Sequence, residues 1–169
     1  RWKAEGRPLT DEPSTIPVPA KPAQLSAEQA GCATQADVLA VVQGANEDDV
    51  LTSACLVDAL PADSFGGTGT AYGPRSGHIT GAVNVPFRSL IDAETAAFIE
   101  PDAMHTRLTR AGLLDDRDVI TYCGGAIAAT VDAFVLALFG KTNVAVYDGS
   151  LMEWTADPDL PMVDPSAAG

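Results

Sequence analysis

The chain has 169 residues, enough for one domain with a sizeable core, and its 46% apolar content excludes a fully disordered polymer. Ten Lys and Arg against 23 Asp and Glu leave a net charge of -13. That balance excludes binding that rests on phosphate neutralisation, and it argues equally against docking on anionic lipid.

The first 25 residues hold five of the twelve prolines: Pro8, Pro13, Pro17, Pro19 and Pro22. Proline lacks the amide that helices and sheets need, so this stretch reads as an extended linker. One internal echo precedes it. Trp2-Lys3-Ala4-Glu5-Gly6-Arg7-Pro8-Leu9 resembles Trp154-Thr155-Ala156-Asp157-Pro158-Asp159-Leu160. Residues 1–30 are therefore expected to be the end of a preceding domain plus a Pro-rich linker, and residues 31–169 a domain of their own. Residues 1–30 carry four basic and four acidic groups, so the whole net charge falls on 31–169.

From residue 34 the pattern is regular. Thr34-Gln35-Ala36-Asp37 predicts a capping box opening a short helix through Val42. Asn46 to Asp49 reads as an acidic turn. Ala54-Cys55-Leu56-Val57 predicts a buried strand ending at Asp58. Residues 61–77, rich in Gly, Ser, Thr and Pro, read as a long loop. Ala82 to Val85 predicts a strand stopped by Pro86. Pro101 suits a first helical position, with Met104, Leu108 and Ala111 at helical spacing and Gly112 as the stop. Val119 to Tyr122 predicts a strand, Ala126 to Phe139 an apolar helix, and Val144 to Tyr147 a further strand. Helices alternating with strands point to an α/β domain with a central, mostly parallel sheet. No apolar run approaches the ~20 residues of a membrane helix.

The chemistry concentrates at Val119-Ile120-Thr121-Tyr122-Cys123-Gly124-Gly125-Ala126-Ile127-Ala128. Cys123 sits at the C-terminal end of a predicted parallel strand, the edge where open α/β sheets bind ligands. Two glycines let the backbone curl so that amides converge as an anion nest, and the helix that follows adds partial positive charge. A thiol there is expected to have a lowered pKa and to act as a nucleophile. Cys32 and Cys55 lack that setting and read as structural. Three scattered cysteines without CxxC exclude a disulfide framework and a zinc knuckle.

Three segments carry a family resemblance. Gly77-His78-Ile79-Thr80-Gly81-Ala82-Val83-Asn84 resembles the GHIPGAxN motif of rhodanese domains. Tyr122 to Ala128 resembles their active-site loop, and Val146 to Trp154 their C-terminal motif. Leu56-Val57-Asp58-Ala59 is similar to the strand that opens "DAR". The resemblance covers residues 31–163. It implies the rhodanese-like fold, with helices on both faces of the sheet. It also implies a sulfurtransferase that moves sulfane sulfur from thiosulfate or a mercaptopyruvate-like donor, through a Cys123 persulfide, to a thiol or cyanide acceptor. The backbone of Gly124, Gly125, Ala126, Ile127 and Ala128 would hold the anionic sulfur, with no metal or organic cofactor. The Pro-rich leader resembles the junction inside tandem two-domain sulfurtransferases, which implies a rhodanese-like domain before this one.

The chain also departs from the family. Gly124 and Gly125 stand where active thiosulfate enzymes often place Arg or Lys, Ala128 replaces a loop Thr, and Leu60 and Ser64 stand where family arginines fall. Arg75 is the cation expected to compensate. His78 reads as a turn residue, Asp58 as a loop organiser, Asp148 and Ser150 as caps of the last helix, and Trp154 as packing. The alternative to an enzyme is a non-catalytic rhodanese-like binding or regulatory module. A phosphatase or arsenate reductase is disfavoured, because the required Arg six residues after the cysteine is Ala129. No charged-then-apolar leader is visible, and a free catalytic thiol suits a reducing compartment, so a cytoplasmic location is expected.

Overall fold

The computed structural model describes residues 2–13, 31–44 and 54–168. The expected Pro-rich linker beyond Pro13 and the acidic turn at 46–49 lie outside the described residues.

Five strands form one parallel sheet: β1 (Cys32–Ala33), β2 (Cys55–Asp58), β4 (Val83–Asn84), β5 (Val119–Tyr122) and β6 (Val144–Tyr147). Their spatial order is β1-β6-β5-β2-β4. A separate antiparallel pair joins β3 (His78–Ile79) to β7 (Met162–Val163). Gly77 is required there, because a Cβ on it would come 2.0 Å from the Val163 carbonyl oxygen.

Alternation along the strands feeds two cores. Leu56, Ile120 and Tyr122 face one cluster with Val38, Leu151 and Trp154. Cys55, Val57 and Val119 face the other, with Met104, Leu108, Val135 and Leu136. The first core is closed by helices α1 (Gln35–Gln43) and α5 (Ser150–Trp154). The second is closed by α3 (Pro101–Arg110) and α4 (Ala129–Leu138). Strands covered on both faces explain the continuous apolar runs in the sequence.

Local signals set the element ends. The predicted capping box forms: Asp37 donates its amide to Thr34 Oγ1, and the Thr34 amide reaches Asp37 Oδ2 at 2.8 Å. Pro101 occupies the first turn of α3. Two expectations need correcting. The loop at 61–77 contains one helical turn, α2 (Ala62–Phe65). The apolar helix begins at Ala129 rather than Ala126, because Ala126 sits at φ 62°, a left-handed conformation no α-helix continues through. Among the described residues no helix is long and apolar enough to cross a membrane.

Topology places the site. The chain runs outward from β2 to β4 on one side, then returns to β5 and runs outward to β6 on the other. The crevice between β2 and β5 is thus a topological switch point, and Cys123 follows β5 directly into it. Parallel register brings Asp58 beside both Tyr122 and Asn84 at the same sheet edge.

Candidate active site

Cys123 is buried, with 3% of its surface exposed, and it lines a cavity of about 680 Å³. Its loop is held from below by Ser150. That hydroxyl accepts from the amides of Cys123 (3.2 Å) and Ala126 (3.1 Å) and donates to the Tyr147 carbonyl (2.8 Å). One donor and two acceptors exhaust what a hydroxyl offers. Two more bonds clamp the loop from α5: Leu151 N–H to the Cys123 carbonyl and Met152 N–H to that of Gly124, both 3.0 Å. Thr121 Oγ1 bonds the Ala129 carbonyl at 3.1 Å and ties β5 to the start of α4.

Not all five expected loop amides are available. The Ala126 amide goes to Ser150 and the Ile127 amide to the Gly125 carbonyl at 2.9 Å. Among the described residues the amides of Gly124, Gly125 and Ala128 have no protein acceptor. The nest is therefore smaller than the sequence implies, since curling the loop this tightly consumes two of its own donors. The glycines have a steric reason. A Cβ on Gly124 would lie 2.0 Å from a ring carbon of Tyr72, and one on Gly125 would lie 3.3 Å from the Met152 sulfur. An aromatic ring and a thioether thus flank the positions where the family often carries a cation.

Arg75 is not in the cavity lining. Its guanidinium donates to the carbonyls of Asp157 (2.6 Å), Leu160 (2.7 Å) and Trp154 (3.0 Å), with longer contacts to Thr155 and Pro158. The expectation that it would replace the missing anchors is corrected. Orphan carbonyls after α5 need donors, and a forked cation meets several at once. The cation on the lining is Arg88. Leu60 and Ser64 also line the cavity, as neutral groups.

Most of the remaining motif residues hold turns or fill the core. His78 Nδ1 donates to the Phe65 carbonyl at 2.7 Å, and its ring stacks on Phe65 at 3.6 Å between centroids. Asn84 Nδ2 donates to the Asp58 (3.0 Å) and Leu60 (2.9 Å) carbonyls and staples the turn after β2. Asp58 Oδ1 accepts from the Leu60 amide at 2.8 Å. Asp148 is exposed and Trp154 is fully buried. Cys55 is buried in β2, whereas Cys32 is exposed on β1. Among the described residues no group of His, Cys, Asp and Glu is placed to hold a metal ion.

Beneath the loop lie two buried acids. Burial pushes the Asp132 carboxyl up to about 8, and the charge of Asp58 adds to that. Burial likewise raises Asp58 to about 6, against the pull of the Leu60 amide and the Tyr122 hydroxyl. Neither oxygen of Asp132 has a hydrogen-bond partner, nor has Asp58 Oδ2. An isolated carboxylate at Asp132 would be costly, so that group keeps its proton up to about 8, whereas Asp58 gives its proton up first. Tyr122 is raised well above its ordinary range by burial and then by Asp58.

Sequence reasoning missed Arg88, and it read Ser150 only as a helix cap. One signal finds both. In a parallel sheet every loop after a strand emerges at the same edge. Arg88 follows β4 and Ser150 follows β6, while Cys123 follows the β5 between them in sequence.

The family described as Rhodanese-like domain matches residues 38–157. The chain is 36% identical over 113 residues to the 3-mercaptopyruvate sulfurtransferase of Escherichia coli (strain K12), covering 65% of this chain and 39% of that protein. It is 33% identical over 154 residues to the thiosulfate sulfurtransferase of Gallus gallus, covering 90% of this chain and 50% of that protein. The chain thus spans half or less of these relatives' length. Among solved structures, the Tum1 protein from Saccharomyces cerevisiae superposes with a TM-score of 0.65 at 27% identity, over 79% of this chain and 47% of that one. Wild-type EanB superposes with a TM-score of 0.78 over 95% of this chain and 38% of that one, at 22% identity, a likeness of fold.

Proposed function

The chain belongs to the rhodanese-like domain family, and from that premise we propose that it is a sulfurtransferase working through a persulfide on Cys123. The observation that carries the reading is the floor of the cavity. A thiol stands at the switch point of a parallel sheet, in one loop with three amides that have no protein acceptor. The relatives' names, thiosulfate and 3-mercaptopyruvate sulfurtransferase, support the same chemistry.

The Cys123 thiolate attacks the terminal sulfur of the donor. With thiosulfate a new S–S bond forms and sulfite leaves with the old bonding pair. With 3-mercaptopyruvate the C–S bond breaks, and the carbon keeps the pair and takes the thiol proton to give pyruvate. Either way Cys123 carries a persulfide anion. The amides of Gly124, Gly125 and Ala128 are the donors for its charge, with the N-terminus of α4 behind them. A thiolate or cyanide then takes the outer sulfur and returns the Cys123 thiolate. Every step is a two-electron displacement at sulfur.

The test is an intact mass after incubation with either donor. Wild type should gain one sulfur, removed by a reductant, and Cys123→Ser should gain none. A wild type that gains nothing from either donor sinks the reading.

Residues 1–30 are part of the same proposal, as the end of a preceding rhodanese-like domain plus linker. The Trp2 indole donates to the Pro8 carbonyl at 3.1 Å, and the Trp154 indole donates to the Pro161 carbonyl at 3.1 Å. The two tails resemble each other in sequence, and in each the Trp indole reaches a proline carbonyl, six residues on from Trp2 and seven on from Trp154. Trp154 is fully buried, whereas Trp2 is 55% exposed, as a clasp without its own domain would be. A longer natural chain should carry a second rhodanese-like domain upstream of Arg1. An unrelated domain there removes this part of the reading.

A further inference from the structure

Arg88 stands on the cavity lining beside Phe87. It lies in the 3-10 turn Phe87–Leu90 that follows β4. The Phe87 amide donates to the Ala59 carbonyl at 2.9 Å, which pins this turn beside the end of β2. The guanidinium rests over the Phe87 ring, 5.4 Å from its centroid. Stacking orients a guanidinium without consuming its N–H groups. Among the described residues the Arg88 guanidinium forms no hydrogen bond and no ion pair. It is also the one cation on the cavity lining among those residues, in a chain of net charge -13.

The rest of the lining sets what such a cation receives. Tyr72, Phe87, Ile127 and Met152 give the cavity an apolar wall. About 680 Å³ falls in the range of sites for multi-ring or drug-sized ligands. A compact inorganic anion would leave most of that wall in water. Asp63, an exposed carboxylate on the same lining, repels a second negative charge.

Resting on the sulfur-transfer reading above, we propose that Arg88 binds the acidic group of the sulfur donor, and that the donor is an organic monoanion whose body lies against Tyr72, Phe87 and Met152. An aromatic thiosulfonate is the probe. The Cys123 thiolate attacks its terminal sulfur, an S–S bond forms, and the arenesulfinate leaves with the bonding pair. Charge and atoms balance with no added oxidant.

Two measurements separate this proposal from the reading it rests on. The first compares alkylation of Cys123 by iodoacetate and iodoacetamide, read on the Cys123 peptide. Arg88→Gln should lower the iodoacetate-to-iodoacetamide rate ratio about 10-fold, the loss expected for one charge-assisted contact. Arg88→Lys should recover part of it. The second measures persulfide loading against donor concentration. Benzenethiosulfonate should half-saturate wild type at a concentration at least about 10-fold below thiosulfate, and Arg88→Gln should raise that concentration about 10-fold while the plateau rate stays within about twofold. Arg88 is exposed, so its replacement leaves the core intact. An unchanged alkylation ratio in Arg88→Gln overturns the anion site even if sulfur transfer proceeds. A Cys123 that reacts with neither reagent overturns it too, because the cavity then offers no route to the thiol. If no donor loads wild type but the ratio still depends on Arg88, the anion site stands and sulfur transfer falls. Equal use of both donors overturns the organic-donor half.

Discussion

The floor and the rim of the cavity are built differently. The floor, Cys123 to Ala128, is fixed by main-chain bonds to Ser150, Leu151, Met152 and its own carbonyls. The rim is side chains: Arg88 over Phe87, Tyr72 over Gly124, Met152 over Gly125. A main-chain floor tolerates little change, because each bond it loses strands a buried polar group. A side-chain rim can be exchanged without unfolding anything. The difference teaches where this chain can afford to depart from its family. The departures at Leu60, Ser64, Gly124 and Gly125 all alter side chains on the lining, while the main-chain frame persists.

The sharpest way to break the floor is Ser150→Ala. Two amides and the Tyr147 carbonyl lose their partner inside the core. Stability should fall by about 2–4 kcal/mol, and persulfide loading should slow at least about 10-fold. Urea unfolding and loading rates check both, and a loss under about 0.5 kcal/mol would show that the hydroxyl does not hold the loop.

Gly124→Ala attacks the seam between floor and rim. Its Cβ cannot coexist with the Tyr72 ring, so the ring or the loop must move, at about 1–3 kcal/mol. Adding Tyr72→Ala should recover most of that loss in a double-mutant cycle. Additive effects would mean that the ring is not what demands glycine.

The acids below the floor give a pH signature. Folded Asp132 keeps its proton up to about 8, whereas an unfolded carboxyl loses it near about 4. Between those values the folded state binds more protons, so stability falls as pH rises and levels off above about 8. One such group sets a limiting slope of about 1.4 kcal/mol per pH unit, and Asp58 adds to the part below about 6. Asp132→Asn should flatten the profile from about pH 6 to 8. Profiles that stay parallel in urea titrations would place the proton elsewhere.

The smallest effect concerns Ala126, held at φ 62° where a Cβ is strained. Ala126→Gly should stabilise the protein by about 1 kcal/mol with little change in loading. A destabilised variant would mean that glycine's extra freedom in the unfolded chain outweighs the relieved strain.

Most of the frame was legible in the sequence because its signals are local. The capping box at Thr34, Pro101 opening α3 and the apolar runs of β2 and β5 each act within a few residues. Gly124 and Gly125 marked the turn, although not the Tyr72 ring that requires the first of them. Arg75 misled because its five acceptors lie about eighty residues away and are carbonyls, which leave no mark on residue identity. Arg88 was hidden for a similar reason. Its value lies in the β4–β2–β5 adjacency, a relation that only the sheet order supplies. Asp132 was invisible as a buried acid, because an Asp in a helix reads as solvated until the packing of α4 is known.

The central claim is that Cys123 takes up sulfur and gives it back. Protein preloaded with donor, freed of excess and mixed with cyanide should release one thiocyanate per chain and lose one sulfur from its mass. Cys123→Ser should release none. Sulfur that stays on the protein after cyanide, or equal release from Cys123→Ser, would contradict the account.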